Sequence, residues 1–263
     1  MRDLKISNSN KIIKIGNFEI GDKTPVFISG PCSVEDFDTM LSLSKKLKKI
    51  GVNMLRGGVF KPRTSPYDFQ GLQREGLEIL KAIKDEVNIP VSTEIMDVRD
   101  LEFALDYIDV IQIGSRNMYN YTLLKEVGKV NKPVILKRGI SATIKEWIYA
   151  GEYIISEGND NIIFCERGIR TFETTTRNTL DLNAVAYIKE KFNLPVIVDP
   201  SHGTGLSEIV ERVSLGSIAL GADGLIIESH ENPKKAISDA RQTIDVKTME
   251  RIIDKSKLLR ELY

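Results

Sequence analysis

The chain has 263 residues, with 37 Lys plus Arg against 37 Asp plus Glu, so its formal net charge is zero. This balance predicts no broad attraction to nucleic acid or to an anionic membrane, and any anion has to be bound locally. The two cysteines are too few for a disulfide framework, and the N-terminal segment lacks the apolar stretch of a signal peptide. Because no apolar run approaches the roughly 20 residues that cross a bilayer, we expect a soluble, cytoplasmic protein.

The segment before Pro25 contains two short apolar runs around a turn. They predict a β-hairpin with strands at Ile12–Ile15 and Phe18–Ile20. We expect this hairpin to cap the bottom of the main domain or to join a partner subunit. The sequence is thus divided into an N-terminal extension, residues 1–24, and one catalytic domain, residues 25–263.

From Pro25 onward, short runs rich in Val and Ile alternate with longer segments of helical period, which is typical of successive βα units. Eight strands are predicted: Val26–Ser29, Asn53–Arg56, Val91–Glu94, Val110–Ile113, Val134–Lys137, Ile162–Cys165, Val196–Asp199 and Gly224–Glu228. This number favours a closed (β/α)8 TIM barrel over an open sheet of five or six strands, and the chain length fits one such barrel.

Between the strands, apolar residues recur at spacings of three and four, which predicts amphipathic outer helices. Such segments are Asp38–Ile50, Leu72–Val87, Leu182–Lys191 and Leu206–Leu220. The charged, periodic segment at about Lys234–Leu259 is expected to supply the eighth helix and a C-terminal extension. The two longest irregular stretches, Lys61–Gly71 and Glu166–Leu180, each follow a strand and therefore belong to the face where barrel active sites are built.

Polar or charged residues follow almost every predicted strand, where stability alone would favour packed aliphatic side chains. The cations among them are Arg56, Lys61, Arg63, Arg116, Lys137 and Arg167. Arg binds phosphate and carboxylate bidentately, and Lys supplies a compact charge. A single such cation is usually a surface or salt-bridged residue, but six at successive strand ends predict a pocket for ligands with several anionic groups.

A second group at the strand ends combines Cys32, His202, Glu228 and Asp239. One thiolate, one imidazole and two carboxylates suit a divalent transition ion such as Mn2+, Fe2+, Co2+ or Zn2+. Strands one and eight are neighbours in a closed barrel, with strand seven beside strand eight, which brings these residues together. Taken singly, a Cys at a strand end such as Cys32 is more often a small buried residue, and His202 could be an acid–base catalyst instead.

Three further residues are interpreted as structural. Cys165 ends the sixth strand and is expected in the core. Trp147 and Tyr149, on the helix after the fifth strand, are expected to pack inside the domain or at an interface.

Seven short segments carry a family pattern in their order along the chain. They are GPCS (Gly30–Ser33), LRGGVFKPRTSPYDFQG (Leu55–Gly71), QIGSRNM (Gln112–Met118), LKRG (Leu136–Gly139), CERGIRTFE (Cys165–Glu173), DPSHGTG (Asp199–Gly205) and IIESHENP (Ile226–Pro233). In this order the chain resembles the 3-deoxy-D-arabino-heptulosonate 7-phosphate synthases, in their short microbial form without a regulatory domain. The similarity covers Pro25 to about Asp245.

The resemblance implies an enzyme that condenses phosphoenolpyruvate with erythrose 4-phosphate in the shikimate pathway. It implies that Cys32, His202, Glu228 and Asp239 hold the metal. Phosphoenolpyruvate would be surrounded by Arg56, Lys61, Ser115, Arg116, Lys137 and Arg167, and Arg63 and Thr64 would contact the sugar phosphate. The candidate catalytic residues are Lys61, Cys32 and His202: Lys61 as proton donor to the new alkoxide, and His202, or else Glu94, as the group that assists the water.

Two alternatives stay open at this point. The related 3-deoxy-D-manno-octulosonate 8-phosphate synthases, which use arabinose 5-phosphate, share the barrel and in some members the metal ligands. Their sugar-binding segment is KANRSS-like, whereas Lys61–Ser65 reads KPRTS here, and Pro62 fixes a backbone φ angle in that loop. A non-catalytic phosphate-binding barrel is the other alternative, and the complete set of cations and metal ligands argues against it.

The resemblance also implies assembly into a homodimer or homotetramer. About 24 residues precede the barrel, which leaves room for the hairpin but not for a regulatory domain. We therefore expect an enzyme insensitive to phenylalanine and tyrosine.

Overall fold

The structure is a computed structural model that describes residues 4–9, 11–62 and 65–260. After a short 3-10 helix at Lys5–Asn8, strands β1 (Ile13–Ile15) and β2 (Phe18–Ile20) pair antiparallel. The predicted hairpin is therefore confirmed.

Eight parallel strands close into a barrel in which each strand pairs with the next in sequence and the last pairs with the first. They are β3 (Val26–Gly30), β4 (Met54–Arg56), β5 (Val91–Glu94), β6 (Val110–Ile113), β7 (Val134–Lys137), β8 (Ile162–Glu166), β9 (Val196–Val198) and β10 (Gly224–Glu228). In the closing pair Glu228 lies beside Gly30. The predicted (β/α)8 barrel is confirmed, with strand ends shifted by one residue at most.

The helices alternate with these strands. They are α1 (Phe37–Lys49), α2 (Gln73–Val87), α3 (Val98–Ala104), α4 (Tyr121–Gly128), α5 (Ile144–Ser156), α6 (Leu182–Phe192), α7 (Pro200–Thr204), α8 (Ser207–Leu220) and α9 (Val246–Arg260). Local signals explain several ends. Asp36 accepts a hydrogen bond from Thr39 N at the start of α1, Thr143 and Glu146 form a capping box on α5, and Asn88 ends α2 in the left-handed conformation.

One predicted helix was too long. The segment Lys234–Leu259 is helical only from Val246, and the residues before it form a 3-10 turn at Pro233–Lys235 and a loop. Asp239 in this loop has φ +52°, a left-handed conformation that a continuous α-helix excludes. The correction is functionally important, because this loop carries Asp239 to the carboxyl ends of the strands.

The interior of the barrel is closed at the amino ends of the strands. Ile13, Ile15 and Ile20 of the hairpin are buried with strand residues such as Val26 and Met54. The hairpin thus caps the bottom of the barrel, which is one of its two predicted roles, and leaves the opposite end open.

The three residues interpreted as structural behave largely as expected. Cys165 is fully buried in the barrel interior. Trp147 is also fully buried, packs edge-on against Phe164 with ring centroids 5.1 Å apart, and donates a hydrogen bond to Leu136 O. Tyr149 is 39% exposed, so it lies on the outer surface of α5.

Among the described residues, no helix combines the length and apolar character needed to span a membrane.

Candidate active site

A cavity of about 450 Å3 opens at the carboxyl ends of the barrel strands. Its lining is mostly polar and strongly cationic. The described residues that line it are Lys61, Pro62, Glu94, Gly114, Ser115, Arg116, Lys137, Ile140, Arg167, Arg170, Arg177, Asn178, His202 and Asp239. The predicted convergence of polar strand ends on one rim is therefore present.

The predicted cations do not all occupy equivalent places. Lys61, Lys137 and Arg167 are largely buried and line the cavity, and Arg116 lines it from an exposed position. Burial lowers the pKa of Arg167, and a bound anion would offset this cost of burying its positive charge. Arg56 is not part of the lining: its guanidinium is buried and donates to Glu228 Oε1 at 2.7 Å.

Two residues predicted to contact the sugar phosphate, Arg63 and Thr64, lie outside the described residues. Ser115, another predicted substrate contact, begins a 3-10 helix and lines the cavity beside Arg116, and His202, which was also predicted to contact substrate, lines it as well.

Asp199 organises the centre of this rim. Its Oδ2 lies 2.5 Å from Lys137 Nζ and 2.7 Å from His202 Nδ1, and its Oδ1 accepts from His202 N at 2.9 Å. Burial alone would raise the pKa of Asp199, but the charges of His202 and Lys137 and the hydrogen bonds hold the pKa well below its usual value. The ionised carboxylate requires a proton on Nδ1 of His202, so Nε2 is the nitrogen available to a ligand.

Three of the four predicted metal ligands form a compact cluster. One donor atom each from Cys32, Glu228 and Asp239 lies within 4.8 Å of the other two. Cys32 Sγ is 3.3 Å from Asp239 Oδ2. His202 adjoins this cluster, with Nε2 3.5 Å from Glu228 Oε1. The thiol, the imidazole and the two carboxylates match a divalent transition ion, and the Asp199–His202 hydrogen bond is the outer contact that such a site uses.

Cys32 is chemically distinctive because of its neighbours. Burial and the charge of Glu228 raise the pKa of its thiol to about 11, while the nearby Lys61 acts in the opposite direction. Lys61 Nζ lies 3.0 Å from Cys32 Sγ and 3.0 Å from Cys32 O. A bound cation would reverse the effect of burial, since a coordinating thiol is deprotonated outright.

Glu94 faces the cationic lining from the end of β5. Burial raises its pKa, and the charges of Lys137 and Lys61 oppose that rise. Its carboxylate lies against Gly114, where an added Cβ would come 1.9 Å from Oε1. A side chain at position 114 would therefore displace the Glu94 carboxylate from its present position.

Sequence reasoning missed several residues around the cavity. It predicted that Glu166–Leu180 contributes to this face but did not single out Arg170, Arg177 or Asn178. It also assigned no role to Asp199. The signal available for this residue was an Asp-Pro pair at the start of a helix, three residues before His202.

Comparison with known proteins decides which barrel family carries this cavity. The model of the DAHP synthetase I family matches residues 3–262. The chain belongs to that family.

Individual relatives of this DAHP synthetase I family member support the same assignment. Phospho-2-dehydro-3-deoxyheptonate aldolase of Thermotoga maritima is 46% identical over 248 residues, which cover 94% of this chain and 73% of the relative. 2-Dehydro-3-deoxyphosphooctonate aldolase of Geobacter sulfurreducens is 31% identical, covering 94% of this chain and 97% of the relative. The identity is thus clearly higher to the heptonate enzyme.

Solved structures agree. The crystal structure of the Thermotoga maritima DAHP synthase aligns with a TM-score of 0.93 at 44% identity, covering 97% of this chain and 75% of that one. A truncated form of the Thermotoga 3-deoxy-D-arabino-heptulosonate 7-phosphate synthase aligns with a TM-score of 0.89 at 41% identity, covering 97% and 94%. The family resemblance inferred from the seven sequence segments is confirmed.

Proposed function

We propose that the chain condenses phosphoenolpyruvate with D-erythrose 4-phosphate and water to give 3-deoxy-D-arabino-heptulosonate 7-phosphate and phosphate, the first step of the shikimate pathway. Membership of the DAHP synthetase I family and the 46% identity to the Thermotoga heptonate aldolase support this reaction. The observation that carries it here is a cationic cavity whose wall includes Asp239, a member of the cluster with Cys32 and Glu228.

The cavity supplies charge for each anionic group of the substrates. Phosphoenolpyruvate carries a phosphate and a carboxylate, which Lys61, Arg116, Lys137 and Arg167 bind, with Ser115 beside them. Binding both substrates in one pocket brings the reacting carbons together and screens their charges.

Two further assignments of substrate contacts rest on the family resemblance. Arg63 and Thr64 bind the phosphate of the sugar. Arg56 belongs to the phosphoenolpyruvate set, although in this structure its guanidinium pairs with Glu228.

The reaction balances with one proton donor and one acceptor. Carbon 3 of phosphoenolpyruvate bonds to the aldehyde carbon, the aldehyde oxygen takes up a proton, and water adds at carbon 2. The C2–O bond to phosphate then breaks, the remaining hydroxyl proton passes to the departing phosphate, and a ketone forms. Lys61 supplies the proton to the new alkoxide, and Glu94 or His202 accepts the proton that water releases.

We also propose that Cys32, His202, Glu228 and Asp239 hold a divalent metal ion, which is Mn2+, Fe2+, Co2+ or Zn2+. When bound, such an ion supplies Lewis acidity toward the aldehyde oxygen. Asp199 orients His202 for this site because it fixes the proton on Nδ1.

The test is release of inorganic phosphate by the purified protein. We expect release from phosphoenolpyruvate only when erythrose 4-phosphate is present, with a seven-carbon product identified by mass spectrometry. Release with arabinose 5-phosphate instead would assign the octulosonate reaction, and binding of phosphoenolpyruvate without release in either mixture would indicate a non-catalytic barrel. Both results would overturn the proposal.

The remaining proposals concern the whole protein. We propose that the enzyme is cytoplasmic and assembles as a homodimer or homotetramer. Each subunit has a single catalytic domain, residues 25–263, preceded by the extension 1–24. Light scattering coupled to size-exclusion chromatography measures the assembly, and a monomeric mass at micromolar concentration would contradict it.

A further inference from the structure

The carboxylate of Glu228 is held on both of its oxygens. Oε1 accepts from Arg56 NH1 at 2.7 Å and lies 3.5 Å from His202 Nε2. Oε2 accepts from Gln242 Nε2 at 2.6 Å. Glu228 is fully buried, so these neighbours, rather than water, fix the rotation of its carboxylate.

Gln242 is itself oriented from the other side. Its Oε1 accepts from Arg177 NH1 at 2.8 Å, and its side chain is buried in the loop that follows Asp239. A guanidinium only donates and an ionised carboxylate only accepts, so the amide can satisfy both neighbours in one orientation alone. The three side chains form a directed chain of hydrogen bonds from Arg177 at the cavity wall to Glu228 in the cluster.

We infer that Gln242 is a positioning residue of the candidate metal site, held by Arg177 and acting through Glu228. By restraining Oε2, Gln242 leaves Oε1 turned toward Arg56 NH1 and His202 Nε2. The inference rests on the proposed metal site, which it deepens by naming an outer contact with a defined orientation.

The residue type follows from this role. Glu at position 242 would place two carboxylates in contact, and Lys or Arg would add a donor that Arg177 cannot satisfy. Only a neutral side chain with one donor end and one acceptor end connects a guanidinium to a carboxylate. Outer contacts of this kind typically change metal affinity by about 10- to 100-fold when they are removed.

The test uses Co2+ as the probe. Metal-free full-length protein is titrated with Co2+, and the thiolate-to-cobalt charge-transfer absorption reports binding. Gln242→Met, which keeps the length of the side chain but removes both hydrogen bonds, is expected to weaken Co2+ binding by about 10- to 100-fold. Arg241→Met is the matched control, since this exposed neighbour lies in the same loop and should leave the affinity unchanged.

Unfolding by urea in the absence of metal separates positioning from folding. We expect similar midpoints for the wild type and Gln242→Met; if Gln242→Met does not fold, Gln242→Asn keeps the amide but shortens its reach and should weaken Co2+ binding in the same way. Equal Co2+ affinity in the wild type and a folded position-242 variant would overturn the inference. Failure of the wild type to bind Co2+ would instead reject the proposed metal site itself.

A double-mutant cycle tests the part played by Arg177. If Arg177 acts through Gln242, Arg177→Met weakens Co2+ binding in the wild-type background but not in the Gln242→Met background. The same effect in both backgrounds would show that Arg177 acts independently, for example through Asp239, whose Oδ2 lies 3.6 Å from it.

Discussion

His202 Nδ1 lies 2.7 Å from Asp199 Oδ2, and the same oxygen lies 2.5 Å from Lys137 Nζ. One carboxylate therefore orients an imidazole beside the cluster and a lysine in the cationic wall of the cavity. Any change that removes its charge is expected to affect both at once.

Asp199→Asn tests this relationship. The amide retains the shape of the side chain but cannot stabilise a proton on His202 Nδ1 and an ammonium on Lys137 together, so we expect turnover to fall by about 10- to 100-fold. Steady-state kinetics with phosphoenolpyruvate and erythrose 4-phosphate measure the change. Asp245→Asn is the control: the Asp245 carboxylate accepts from Thr248 N at the start of α9 and does not line the cavity, so its variant should keep full turnover.

Gly114→Ala is expected to impair activity by displacing Glu94. A Cβ at position 114 would come 1.9 Å from Glu94 Oε1, so the carboxylate has to move. Because only the end of one flexible side chain is displaced, we expect the rate to fall more than the free energy of unfolding. Urea unfolding gives the stability and the phosphate-release assay gives the rate. In Gly216→Ala, the added Cβ meets nothing within 4 Å on helix α8, so this control should be neutral or more stable. Full activity of Gly114→Ala would show that Glu94 is not needed in its present position.

The sequence predicted the fold and the site best where polar side chains lie at the ends of strands. Strands such as Val110–Ile113 and Val134–Lys137 are short and apolar, so their polar ends predicted both the barrel and the cavity face. The loop around Asp239 was wrongly predicted to be helical, because its charged residues continue the periodic pattern of α9. Asp239 instead has a left-handed backbone conformation.

Contacts between side chains distant in sequence could not be predicted in the same way. Arg56 lies at a strand end like the other cations, yet it turns inward to Glu228, 172 residues away. Nothing local to Gln242 indicates that its amide meets Glu228 and Arg177, because both contacts depend on how two loops pack.

Replacing Arg63 tests the part of the site that rests on the KPRTS segment alone. Because Arg63 is proposed to bind the sugar phosphate, Arg63→Gln should raise the Michaelis constant for erythrose 4-phosphate far more than that for phosphoenolpyruvate. The loss of one charge-assisted hydrogen-bonded contact corresponds to about 1.5–3 kcal/mol, or roughly 10- to 150-fold. Equal increases in both constants would reject the assignment.

Cys32→Ala is expected to abolish turnover with the fold retained. Cys32 supplies the sulfur of the cluster with Glu228 and Asp239 and is the proposed thiolate ligand, so its loss should also abolish the thiolate-to-cobalt absorption. Treatment of the wild type with a chelator should likewise abolish activity, and addition of Mn2+ or Co2+ should restore it.

Cys165→Ala provides the matched comparison for this experiment, because Cys165 is buried in the barrel interior and takes no part in the cluster. Removing its sulfur should lower the free energy of unfolding by about 1 kcal/mol through the small cavity left behind, while the cobalt absorption and turnover persist. The two cysteines thus separate ligand loss from core damage. Full activity of metal-stripped wild-type protein, verified by elemental analysis, would disprove metal dependence.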